Sequence, residues 1–373
     1  MIVVERFYDG ADWFSSTSMQ ANAPRFWSSG NATGLSYVNG RNSSVGSFAY
    51  NFTNSQPLLR FNRNGNLTTP TALVVGLAVA NAVGNTTARD ILRVMSGTQA
   101  WVTFGFNANG YPVVKNNGGT VIATGSTPAL GFGTTSFRYV EFGVEFNGLT
   151  SVVAVRVTNA VEATINFLTV DLSSPSGATL QAVELFNSSN DPTYYDDIYI
   201  HTGTSTLSAS DFLGDVIILK HAPFSTGTAG DGAISGWTDS GGGTNAFGNE
   251  LADEDTSNTP TSNYVFAATA GNFYCLRHET VEALCTDIVA VQVCGLAGKS
   301  GAGAGVTGKA ICMASNAGVV RYNTSFSSDF TLPDAWYWYR GVWTQDPSTS
   351  AQWLKADFDQ TNPNGRFFGF ERT

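Results

Sequence analysis

Tyr194-Tyr195-Asp196-Asp197-Ile198-Tyr199-Ile200, followed after a run of small residues by Asp211-Phe212-Leu213-Gly214-Asp215-Val216-Ile217-Ile218-Leu219, is the stretch on which the reading of this chain turns. It predicts a strand, a loop over 201–210 and a second strand. Side chains alternate along a strand, so Tyr195, Asp197 and Tyr199 are expected on one face and Asp196, Ile198 and Ile200 on the other. The residues before the stretch read as one β domain and those after it as another, with a seam near 205.

Toward the N-terminus, Thr71-Ala72-Leu73-Val74-Val75-Gly76-Leu77-Ala78-Val79-Ala80 is apolar, Val-rich and uncharged. It predicts a strand buried on both faces. Arg138-Tyr139-Val140-Glu141-Phe142-Gly143-Val144-Glu145-Phe146 alternates and stops at Asn147-Gly148, a hairpin signal leading into 149–157. Asn107-Ala108-Asn109-Gly110 marks a similar turn between 100–107 and 111–115. Toward the C-terminus, strands are expected over 264–268, 273–276, 288–296, 309–315, 318–322 and 366–370. The densest aromatic strand is Ala335-Trp336-Tyr337-Trp338-Tyr339-Arg340-Gly341-Val342-Trp343. A Ser or Thr cap and the stripe Trp353, Leu354, Phe358 predict one short helix near 349–358. Many short strands with almost no helical period give an all-β expectation: two β-sandwich (jelly-roll-like) domains, 1–204 and 205–373, with one short C-terminal helix.

A chain of 373 residues suits two domains, each with its own core. Charged residues make up 13% and hydrophobic residues 42%, the opposite of a disordered composition. The formal charge of −10 and pI near 4.7 argue against binding nucleic acid or an anionic membrane through a basic patch. Met1-Ile2-Val3-Val4-Glu5-Arg6-Phe7-Tyr8 has none of the features of a signal peptide, and no apolar run is long enough to cross a bilayer. The expectation is a soluble product of a cytoplasm. Cys275, Cys285, Cys294 and Cys312 form no C-x-x-C pair and have no His at zinc-finger spacing, so buried free thiols are expected, with a Cys275–Cys285 bridge left open.

Few residues point to chemistry. Glu141 and Glu145 share a strand face, but Gly143 stands between them where laminarinase-like enzymes carry a third acid. On a straight strand their carboxyls would lie roughly 13 Å apart, against the ~5–5.5 Å of a retaining glycosidase pair. Two solvated glutamates are expected instead. His201, near Asp196 and Asp197, reads as an inert surface histidine. No Gly-x-Ser-x-Gly elbow is present, and Gly295-Leu296-Ala297-Gly298-Lys299-Ser300 is too short for a phosphate loop. Asp9 with Asp12, Asp196 with Asp197, and Asp253-Glu254-Asp255 offer hard oxygen ligands without the spacing of a dedicated calcium loop. No catalytic residue, metal ligand or cofactor is therefore assigned, and the expectation is a non-enzyme. Aromatic residues supply the remaining candidates: Trp13, Trp27 and Trp237 for glycan contact, and Trp336, Trp338, Arg340 and Trp343 for a protein interface.

Tyr195-Asp196-Asp197-Ile198-Tyr199-Ile200 and Asp211-Phe212-Leu213-Gly214-Asp215-Val216 resemble a signature of tailed-bacteriophage and prophage structural proteins. In that group a concanavalin A-like (laminin-G-like) jelly roll ends in an Asp-Asp-Ile/Val-Tyr strand and passes into a second β module. Trp237 before a Gly/Thr/Asn loop, Asp253-Glu254-Asp255-Thr256, Ile288-Val289-Ala290-Val291-Gln292-Val293 and Ala351-Gln352-Trp353 with Asp357-Phe358 are similar in their order. The resemblance implies a virion component, made in a host cytoplasm, that forms a homo-oligomer and assembles with other virion proteins as a capsid-decorating (cement) or head, neck or tail surface component. The alternative is a carbohydrate-binding receptor-recognition protein of the tail-fibre or lectin-like kind, or a glycan depolymerase, whose partner is a host surface glycan.

Overall fold

Val, Leu and Ala fill both faces of the strand Thr71–Asn81, and all eleven of its residues are buried, as its composition predicts. The computed structural model describes residues 2–9, 27–31, 33–41, 48–53, 55, 58–62, 71–81, 87–132, 136–158, 160–174, 179–204, 206–218, 223–224, 232–235, 237–239, 265–278, 287–299, 305–316, 319–326, 329–332, 337–359, 362 and 365–373. The chain is all-β and divides into two compact units, Met1–Leu219 and Lys220–Thr373. Among the described residues no helix is long and apolar enough to cross a membrane.

The first unit is a sandwich of two sheets, antiparallel except where the short Gly131–Phe132 pairs parallel to Thr71–Asn81. Thr71–Asn81 sits in the middle of the larger one, between Arg138–Phe146 and Thr193–Thr204. Ser151–Val157 lies beyond Arg138–Phe146, and Ile2–Asp9, Phe48–Phe52 and Leu35–Asn39 lie beyond Thr193–Thr204. The smaller sheet runs Val121–Thr124, Pro112–Asn116, Gln99–Phe106, Arg89–Ser96, Ala182–Phe186, Leu58–Asn62, Ser28–Asn31. Phe142 of the larger sheet meets Phe104 of the smaller at 4.9 Å between ring centroids, and Trp101 stacks on Phe146 at 3.8 Å. Each such ring contributes about 2–3 kcal/mol by leaving water. The Asn147-Gly148 turn is present, with Gly148 at φ +60° opening a single 3-10 turn, Gly148–Thr150, before the next strand starts at Ser151.

Strict alternation does not hold in the opening stretch. Tyr195 pairs with Val79 and Asp196 with Ala78, but Tyr199 pairs with Gly76, so the strand carries a bulge. Asp197 sits at its centre with φ +48°. An Asp tolerates that left-handed geometry better than a branched residue would. The extra residue puts Asp196, like Tyr199, on the outer face while Tyr195 keeps its place in the core.

The segment 206–218 is not the second strand expected from 211–219. Ser208 and Asp211 form a reciprocal capping box around the 3-10 turn Ala209–Asp211, and the rest lies over the outer face of the larger sheet. It therefore belongs to the first unit, which extends to Leu219 and not to 204. Two glycines make room for this packing. A Cβ on Gly143 would stand 2.5 Å from Phe212 and 2.9 Å from Leu207, and one on Gly76 would collide with the Tyr199 ring.

The second unit holds a seven-stranded sheet with the path Pro223–Phe224, Phe273–His278, Arg366–Arg372, Val306–Asn316, Val319–Phe326. The hairpin-like pair Val291–Ala297 and Tyr337–Trp343 lays Val293 and Trp343 on Tyr274, Phe368 and Phe370 of that sheet. The predicted helix over 349–358 shrinks to one 3-10 turn, Lys355–Phe358. Asp346 is the reason: its carboxylate accepts from Ser348 N at 3.0 Å and Thr349 Oγ1 at 2.8 Å, which fixes a turn where a helix would have begun. Trp353 is instead buried and bridges to Ile288.

Candidate functional site

The outer face of the larger sheet carries the acids and the histidine that the sequence singles out. Register places Glu141 opposite Gly76 and Gly76 opposite Tyr199, with Tyr8 beyond; Gly143, Val74 and His201 form the next row. Neither glutamate is solvated: Glu141 is 1% and Glu145 7% exposed. Glu145 accepts from Leu207 N at 2.8 Å, and Glu141 accepts from Gly214 N at 2.8 Å and from the Tyr199 hydroxyl. Asp197 accepts from Ile218 N at 2.7 Å and from Arg41 Nε at 2.9 Å, while Asp196 accepts from Arg41 N at 2.7 Å. Arg41 also reaches Asp215 and the carbonyl of Val216. Three carboxylates of the sheet thus grip three backbone N–H groups of the covering segment.

Burial sets the electrostatics of this face. It pushes the Asp197 carboxyl up to about 6 against the pull of Arg41, and raises Glu141 despite the hydrogen bonds from Tyr199 and Gly214. Glu141 Oε2 is buried with no hydrogen-bond partner. The hydroxyls of Tyr139 and Tyr199 are held well above their ordinary range by the same desolvation. His201 is buried, not a surface residue, and lies 2.8 Å from the Tyr8 hydroxyl. Glu141, Glu145, Asp197 and Tyr199 hold the covering segment, and all four are buried.

The aromatic candidates fare unevenly. Trp27 is fully buried, donates Nε1 to Asp9 at 2.5 Å and packs on Phe7, so it is a core residue and not a glycan contact. Asp9 also accepts from the Tyr50 hydroxyl at 2.6 Å. Trp343 belongs to the core of the second unit, where its carbonyl accepts from Trp353 Nε1 at 3.1 Å. Arg340 is half-buried on the same strand. Trp237 and Trp338 lie on paired strands, opposite Ala267 and Leu296, but their side chains lie outside the described residues, as do Trp13 and Trp336 entirely. Cys275, Cys294 and Cys312 are free thiols, and burial pushes Cys275 and Cys312 up. Cys285, Asp12 and Asp253-Glu254-Asp255 lie outside the described residues. Among those described, no group of three His, Cys, Asp or Glu side chains could hold a metal ion.

The outer face of the smaller sheet has a different character. Arg60, Glu184, Arg93, Thr103 and Lys115 come from five adjacent strands, and the ladders set them side by side in that order. At the ~4.8 Å spacing of strands the row is roughly 19 Å long, and its cations recur on every second strand, about 10 Å apart. Glu184 accepts from Arg60 Nη1 at 2.9 Å and from Arg93 Nε. One side chain only 3% exposed therefore orients two that remain 28% and 35% exposed. Arg60 Nε donates to Asn62 at 2.8 Å, and the Arg93 guanidinium lies 4.7 Å over the Phe186 ring. Lys115 Nζ pairs with Asp90 at 2.6 Å. Among the described residues, Arg60 Nη2 and both Nη groups of Arg93 donate to no protein atom, so fixed planar donors face outward. Sequence reasoning did not find this row. Its signal is one outward charge in each of several apolar strands (Leu-Leu-Arg-Phe-Asn, Ala-Val-Glu-Leu-Phe, Pro-Val-Val-Lys-Asn).

No family model and no curated protein matches the chain. Among solved structures it is similar to the binding domain of Paraclostridial Mosquitocidal Protein 1, at 14% identity and a TM-score of 0.34, covering 48% of this chain and 44% of that one. The chain thus spans less than half the length of that structure. An alginate lyase in complex with alginate tetrasaccharide matches at 8% identity and a TM-score of 0.32, covering 52% of this chain and 96% of that one. A Trypanosoma rangeli sialidase matches at 7% identity and a TM-score of 0.32, covering 41% of this chain and 25% of that one. The expectation of a non-enzyme is corrected at this point: enzymes stand among the structures the chain resembles, and it is not classed as a non-enzyme.

Proposed function

We propose that the first unit recognises carbohydrate through the outer face of its smaller sheet. The observation that carries this reading is the in-register row Arg60, Glu184, Arg93, Thr103, Lys115, in which the two arginines oriented by Glu184 stay 28% and 35% exposed. A sugar presents many hydroxyls in fixed directions, and it is held by donors and acceptors already oriented before it arrives. Glu184 supplies that orientation to both arginines, and Phe186 offers an apolar surface beside them. Jelly-roll sandwiches serve both as lectins and as viral capsid components, so the fold accommodates this use. The similarity of 195–200 and 211–216 to phage structural proteins supports a setting on the virion surface, where such a face would meet a host glycan.

The test is a glycan array probed with the full chain and with Arg93→Gln and Phe186→Ala. Binding by the parent that drops about tenfold in each variant is expected, the scale of one charged hydrogen bond or one stacking contact. Absence of binding, or binding indifferent to both substitutions, overturns the reading. Electron microscopy of particles decorated with an antibody to this chain tests the virion setting; unlabelled particles would remove it.

A further inference from the structure

Resting on the carbohydrate reading above, we infer that the ligand of this face is an acidic polysaccharide, carboxylate-bearing and laid across the strands along the row. The charge of the face points that way. Arg60, Arg93 and Lys115 against Glu184 and Asp90 leave three positive and two negative charges, a net of +1, on a chain whose formal charge is −10. The only carboxylate in the row itself, Glu184, is buried beneath the two guanidinium groups and its oxygens are occupied by them. The outward surface is therefore cationic at Arg60 and Arg93, and amphoteric at the Lys115–Asp90 end.

The shape of the donors narrows the ligand further. The free edge of a guanidinium matches the two oxygens of a carboxylate, whereas a neutral hydroxyl uses one N–H and leaves the charge uncompensated. Cations on every second strand, about 10 Å apart, suit a polyuronate that turns every second carboxylate toward the sheet. Each strand of a nucleic acid duplex carries one phosphate per ~3.4 Å of helix axis, a much denser charge than cations about 10 Å apart. On the opposite face, among the described residues, the cations are engaged by the sheet and its covering segment: Arg41 by Asp197 and Asp215, and Arg156 by the Phe212 ring and the Ala209 carbonyl.

The test is calorimetric titration of the full chain with a galacturonate oligosaccharide and with its methyl ester, which keeps the sugar and removes the charge. The acid is expected to bind about tenfold or more tighter than the ester, and to weaken as salt is raised. Arg93→Gln should cut binding of the acid about tenfold. Lys115→Gln, at the end of the row, should cut it about threefold, since Lys115 is half-buried and already paired with Asp90. Equal binding of acid and ester overturns the inference while leaving carbohydrate recognition standing. Tighter binding of a single-stranded oligonucleotide overturns it as well. No binding of either sugar, in a chain that unfolds cooperatively, removes both this inference and the reading beneath it.

Discussion

The two outer faces of the first unit use the same residue types for opposite ends. On the larger sheet, Glu141, Glu145 and Asp197 accept backbone N–H groups of 206–218, and the acids disappear from solvent. On the smaller sheet, Glu184 accepts from two arginines whose outer edges stay free. A carboxylate on a strand is thus no sign of chemistry by itself. Its meaning depends on whether chain or solvent lies above it.

The contrast breaks most visibly at Arg41. Replacing it with Ala leaves Asp197 buried without its cation, and a loss of about 3–5 kcal/mol is expected in urea denaturation. A loss below about 1 kcal/mol would show that the covering segment does not depend on this network. Gly143→Val should cost about 2 kcal/mol, because its side chain enters the space held by Phe212 and Leu207. Glu162→Gln sharpens the point from another direction. Its carboxylate is held down to about 2 by Ser126 and Thr127, so it stabilises the fold above pH ~4.5 and that contribution is lost as pH falls toward 2. The variant should lose about 1–2 kcal/mol at neutral pH and show a flatter acid limb.

Asp197 has the opposite sign. Burial raises its carboxyl to about 6, so between roughly pH 4 and 6 the folded chain holds a proton that the unfolded chain has released. Its contribution makes the fold more stable as pH drops through 6, and Asp197→Asn should remove that slope from a pH series of denaturation midpoints. The smallest effect belongs to the smaller sheet: Lys115→Gln should cost less than about 1 kcal/mol, the scale of a half-buried ion pair near the surface.

Much of the fold is legible in sequence where one local rule dominates. The Val-rich, uncharged run at 71–80 favours a strand covered on both sides over a helix, and Asn147-Gly148 between two alternating runs is a strong turn signal. The failures come where a side chain answers to something distant. Asp197, at the centre of the bulge, accepts from Arg41, 156 residues away, and buried Trp27 donates to Asp9 of the strand Ile2–Asp9. The helix expected at 349–358 gave way to Asp346, held by Arg366 as well as by its own turn. The charged row was invisible for the same reason. Arg60 and Glu184 are 124 positions apart, and only strand register makes them neighbours.

The claim that recognition lies on the open face and not the covered one can be read directly by hydrogen–deuterium exchange of the full chain with and without the galacturonate oligosaccharide. Slowed exchange confined to 58–62, 89–96, 99–106, 112–116 and 182–186, with 206–218 unchanged, is the predicted result. Slowed exchange at 206–218 with no change on the smaller sheet would contradict it.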